Sequence, residues 1–84
     1  MQKKQQSKVD GWINLKTRHV AFWLSNEERL YKLCKTYKAK PQPFIELRDY
    51  LKDFCQITKT DTHLNLWDDE IDTHSLDTAL RGLR

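Results

Sequence analysis

The chain is expected to be all-α, a small compact bundle of about four helices. We expect a short first helix, two longer antiparallel helices and a short C-terminal helix. Three observations predict this. Apolar residues recur at i, i+3, i+4 and i+7 in separate stretches of the chain. Helix-start and helix-stop residues punctuate those stretches. The only strand-like alternation, His63 to Leu66, has no evident partner strand.

Residues 1–9 read as a disordered basic tail, with three lysines and three glutamines and nothing able to pack. Residues 10–84 form a single helical domain, as the 84-residue length requires. Asp10-Gly11 is a turn signal, after which Trp12 and Ile13 enter the core.

Asn14 is the candidate N-cap of the first helix, because its side chain can accept from an orphan backbone N–H. Thr17, Val20, Ala21 and Leu24 form that helix's inner face. Ser25-Asn26-Glu27-Glu28 reads as a capping box, so a second helix begins almost without a linker. Trp12 and Trp23 are placed to fill the corner between the two.

The second helix is expected from about Asn26 to Lys38, with Leu30, Leu33, Cys34 and Tyr37 inward. Lys40-Pro41-Gln42-Pro43 ends it and starts the next, since a proline in a first turn lacks only an N–H that would be orphaned anyway. The third helix, about Pro43 to Gln56, places Phe44, Leu47, Leu51, Phe54 and Cys55 on one face with Tyr50 beside them. Its outer face is Glu46, Asp49, Lys52 and Asp53.

Ile57 to Thr62 reads as a loop. It is expected to drop Leu64, Leu66 and Trp67 onto the core. Asp68, Asp69 and Glu70 suit the approach to a helix N-terminus. Asp72 or Thr73 then caps a last helix, His74 to about Arg81, with Leu76, Ala79, Leu80 and Leu83 inward and Gly82 as its stop.

The stretch Trp12 to Glu28 resembles a family of small domains of unknown function from phages, plasmids and bacteria, including cyanobacteria. The shared pattern is W-x-N-Y-E-T-W-x-V-x-L-W-(I/L)-x-N-(D/E)-E. Trp12, Asn14, Thr17, Val20, Trp23, Leu24, Asn26 and Glu27 match it. Leu15, Lys16 and Arg18 stand where the family has Tyr, Glu and Trp. The closing segment, Leu64 to Leu80, is similar to the family's acidic turn and final helix. The resemblance implies a helical fold and a mobile-element origin, and no particular activity.

Charge is unevenly placed. Residues 1–40 hold ten Lys or Arg against three acids, net +7, and residues 41–84 hold five against nine, net −4. The halves can attract each other across the fold or present opposite faces to partners. No apolar run approaches the ~20 residues of a membrane span. No secretory signal is visible, so a cytoplasmic location is expected. Cys34 and Cys55 are too few for a disulfide framework and are expected as buried free thiols. Cys34, Cys55, His63 and His74 do not have zinc-site spacing, and no metal or cofactor is expected.

No nucleophile, histidine and acid stand at a recognisable catalytic spacing, and two glycines make no phosphate-cradling loop. The chain is therefore expected to be non-catalytic. The first reading is a protein-interaction module using Arg18, Phe22 and Tyr31, on faces not assigned to the core. With the family resemblance, it becomes a phage or mobile-element accessory protein that binds and inhibits a host complex such as a defence system. The alternative is sequence-independent nucleic-acid binding through Arg29, Lys32, Lys35 and Lys38 on the second helix. A third is a subunit that assembles with itself or within a larger complex.

Overall fold

The computed structural model describes residue 12 and residues 14–83. The expected tail and the core position of Ile13 lie outside the described residues. Among the described residues there are four helices: α1 (Leu15–Asn26), α2 (Glu28–Tyr37), α3 (Pro43–Cys55) and α4 (Thr73–Arg81). α1 has 12 residues and α2 has 10, so the first helix is not the shorter of the two. α3 packs against α2 and α4, and α1 against the same two helices.

The core is one cluster. Val20, Ala21 and Leu24 come from α1, Leu30 and Cys34 from α2, Phe44, Leu47 and Leu51 from α3, and Leu76 and Leu80 from α4. Leu66 and Ile71 enter from the segment before α4. Trp12, Trp23, Leu33, Tyr37, Leu64 and Trp67 pack on the cluster's edge, half-buried. Trp12 borders Ala21 and Leu24 of α1 and Tyr31 and Cys34 of α2, and Trp23 borders Glu27 and Leu30, so both indoles lie where α1 and α2 meet, at the core's edge.

Asn14 caps α1 as expected, its Oδ1 accepting from the Thr17 N–H at 2.8 Å. The capping box at Ser25 does not form. α1 continues through Asn26, so Ser25 is still helical and its hydroxyl donates to the Ala21 carbonyl at 2.9 Å. Glu27 alone, in extended conformation, separates α1 from α2. α3 ends on Gln56 in the left-handed region, φ 58°.

Two apolar positions depart from expectation. Phe54 is 76% exposed. Segment 66–67 covers the flank of α3 that carries Arg48 and Lys52: Arg48 donates to the Leu66 carbonyl at 3.1 Å, and both cations lie over Trp67. Phe54 lies on the opposite flank, where it stacks on Tyr50, rings 5.2 Å apart. Ala79 is exposed because α4 turns its buried face toward Asp77. That carboxylate, 5% exposed, accepts from the Phe44 N–H at 2.8 Å. Gln42, the N-cap of α3, makes no side-chain capping bond, so α4 supplies an acceptor from across the fold.

Residues 57–66 close as a loop around an isolated antiparallel bridge between Lys59 and Asn65. Thr60 is buried within it. Cys34 and Cys55 are both free, the first buried and the second half-buried. Burial pushes the Cys34 thiol up to about 11, which keeps it protonated and inert.

The start of α1 is laced to the segment before α4. Lys16 Nζ lies 2.9 Å from both Asp68 and Glu70. Asn14 donates to the Glu70 carbonyl at 2.6 Å, and Thr17 Oγ1 accepts from the Asp72 N–H at 2.9 Å. The acidic turn is thereby held on the N-terminus of α1, so attraction between the basic and acidic halves is realised here.

This lacing has a pH signature. Asp68 is held below its ordinary 3.8, first by the hydrogen bond from Lys16 and then by the Glu70 N–H. Its contribution is complete above 3.8 and is lost as pH falls through the depressed folded-state value. Lys16 is raised above 10.5 by its bonds to Glu70 and Asp68, so its share is complete below 10.5 and lost as pH rises through the raised value. Lys16→Met is therefore expected to lower the thermal midpoint at neutral pH, with the gap to wild type closing well below pH 3.8. Melting curves followed by circular dichroism across that range test it; a gap that does not depend on pH contradicts it.

Candidate functional site

The outer face of α1 carries the best-formed surface feature. The helical period places Leu15, Arg18 and Phe22 on the side away from Thr17, Val20, Ala21 and Leu24. Leu15 is 64% exposed and Phe22 42%. The Arg18 guanidinium lies over the Phe22 ring, 4.4 Å from its centroid. Such stacking holds a long cation and an aromatic in one geometry.

Phe22 also lines a cleft of about 280 Å³ with His19, Trp23, Asn26, Glu27 and Asp61. Trp23 and Glu27 are shared with a second cleft of about 190 Å³, closed by Arg29, Leu30 and Ile57. The Trp23 indole is therefore a common wall between them.

His19 is the best-connected polar group of this region. Its Nε2 lies 2.7 Å from Thr62 Oγ1, 3.3 Å from Thr60 Oγ1 and 3.5 Å from Asp61 Oδ1. A hydroxyl, a histidine and a carboxylate together invite comparison with a nucleophile relay. That relay needs the hydroxyl on one ring nitrogen and the carboxylate on the other. Here all three partners meet the same nitrogen. What the arrangement accomplishes is to pin loop 57–66 onto α1, a contact with no local signal in the sequence.

Of the three residues expected to bind protein, the structure brings Arg18 and Phe22 together and sets Tyr31 apart. Tyr31 is half-buried and lines a narrow apolar crevice of about 70 Å³ with Trp12, Ala21, Leu24, Cys34 and Leu80. Lys35 lies over its ring at 5.0 Å.

Of the four residues expected to meet nucleic acid, Arg29, Lys32 and Lys35 are exposed on α2. Lys32 makes only a loose 3.8 Å pair with Glu28. Lys38 is half-buried and its ammonium donates to the Leu83 carbonyl at 2.9 Å. Arg81 returns to the Pro41 carbonyl at 2.7 Å. Lys38 therefore ties the chain beyond α4 to the end of α2, and the exposed basic stripe has three members.

Among the described residues, no three His, Cys, Asp or Glu side chains gather where they could hold a metal ion. No described helix is long and apolar enough to cross a membrane. Comparison of the chain with models of protein families, with curated proteins and with solved structures finds no match.

Proposed function

We propose that this chain is a non-catalytic protein-interaction module that docks through the outer face of α1, with Arg18 and Phe22 at the centre. The observation that carries this reading is the Arg18–Phe22 stack, 4.4 Å apart, in which a half-buried Arg18 lies over an exposed Phe22, with Leu15 exposed on the same face. Single exposed apolar residues are ordinary. A cation-stacked aromatic beside a second exposed apolar residue and an open cleft has the composition of a binding hot spot. The resemblance carried by Trp12 to Glu28 points to a phage or mobile-element accessory protein. Its partner is then a host protein complex in the cytoplasm, such as a defence system, which it inhibits.

The test is capture from nuclease-treated lysate of the source cells, or of their host, read by mass spectrometry. A defined protein complex retained by the wild type is expected to be lost with Phe22→Ala and Arg18→Ala, each weakening affinity by about tenfold or more. Phe22 is partly exposed, so the variant keeps its fold, which circular dichroism checks. Equal retention by the wild type and Phe22→Ala removes α1 as the docking face.

A second reading is supported by the exposure of Arg29, Lys32 and Lys35. Three phosphate contacts on a single strand give a slope of log K against log salt near about −2. Oligonucleotide binding that is absent, or insensitive to salt, ends this alternative.

A further inference from the structure

A second surface, on α3, is independent of the α1 reading. Phe54 stacks on Tyr50 with an interplanar angle of 27°, and Tyr50 meets Tyr37 of α2 at 5.9 Å between centroids. These three rings line an open cleft of about 340 Å³ with Glu46, Asp49, Asp53 and Lys40. Phe54 is the most exposed of the large apolar side chains described, at 76%. Asp49 and Asp53 are exposed and make no ion pair among the described residues. Glu46 is engaged, accepting from the Gln42 N–H at 3.2 Å. Tyr37 is raised above its ordinary 10.0, by desolvation first and then by the negative field of its neighbours, Glu46 among them.

Stacked rings bordered by carboxylates make a surface for cations. Aromatic faces attract ammonium and guanidinium groups, and carboxylates add charge-assisted hydrogen bonds. The chain shows the chemistry on itself, since Lys40 Nζ lies 5.9 Å above the Tyr37 ring. The same molecule carries a complementary surface on α2. Arg29, Lys32 and Lys35 are exposed there, and the ion pair at Lys32 is loose, at 3.8 Å.

We propose that the Tyr50–Phe54 face of α3, bordered by Asp49 and Asp53, receives the Arg29–Lys32–Lys35 face of α2 from a second copy of this chain. Two different patches meet, so the contact is head to tail and can propagate beyond a dimer. Exposed ion pairs are individually weak and screened by salt. The association is therefore expected only at high protein concentration and low ionic strength.

The test is sedimentation equilibrium near millimolar protein on the full chain. The wild type is expected above monomer mass at about 50 mM salt and at monomer mass by about 500 mM, where the Debye length falls to about 4 Å. Two charge reversals are compared, Asp49→Lys with Asp53→Lys, and Lys32→Glu with Lys35→Glu. All four positions are exposed, so neither variant disturbs the core. Each alone is expected to associate about tenfold more weakly or worse. Mixing the two restores association, because the first keeps an intact basic face and the second an intact acidic one. Phe54→Ala is expected to weaken association with no change in charge.

A wild type that stays monomeric at every salt concentration overturns the proposal. So does association that both charge reversals leave intact, or a mixture that stays monomeric. A monomeric wild type that binds a lysine-rich peptide in a Phe54-dependent way also overturns it, and assigns the face to a foreign basic segment.

Discussion

Phe44→Ala is expected to abolish cooperative unfolding, or to leave a barely folded domain. Phe44 is among the largest fully buried side chains and sits in the first turn of α3. Arg48 lies over its ring at 5.7 Å, and its own N–H is the donor to Asp77. Truncating a buried phenylalanine costs about 3–5 kcal/mol, and a chain of this size holds only about 4–13 kcal/mol in total. Urea denaturation followed by tryptophan fluorescence measures the loss. Phe44→Leu, which keeps most of the volume, is expected to cost about 1 kcal/mol. A Phe44→Ala variant that unfolds cooperatively within about 1 kcal/mol of wild type contradicts this placement of the core.

Asp77→Ala is expected to lower stability by about 1.5–3 kcal/mol. The carboxylate is buried and takes a charge-assisted hydrogen bond from the N-terminus of α3. Without it, the Phe44 N–H has no acceptor in a place water does not reach. For a domain of this length the loss corresponds to a fall in thermal midpoint of about 10 °C or more. Asp77→Asn keeps an acceptor oxygen and loses only the charge on the helix end, so it is expected to cost roughly half as much. The ratio of the two variants separates a capping role from mere filling of space. Equal losses from both contradict capping, because the amide preserves the bond.

Two further features tie segments that are distant in the chain. Lys16 clamps the acidic turn to α1, and Lys38 and Arg81 lace the end of α4 to the connection between α2 and α3. Basic residues that a reading by charge alone would offer to nucleic acid are in part structural ties.

The helices were legible in the sequence because each is announced locally. Thr17, Val20, Ala21 and Leu24 repeat at the helical period, and all four are buried. Asn14, Pro43 and Asp72 stand where helices begin, and the two side-chain caps among them form over three residues. The Arg18–Phe22 pair was legible for the same reason, since residues four apart on a helix are neighbours by geometry. What tertiary structure alone decided lies at the margins of those faces and between distant segments. Periodicity places Phe54 and Ala79 beside a buried stripe, but whether a marginal position is covered depends on where the next segment lands. Segment 66–67 covers the far flank of α3, so Phe54 is left out. Asp77 is buried because α4 meets the N-terminus of α3, 33 residues away in the chain. Lys16 finds Asp68 across 52 residues, and His19 finds Thr62 across 43. Local propensity and spacing fix the helices; packing fixes which polar groups face one another, and those long-range bonds leave no periodic trace in the chain that makes them.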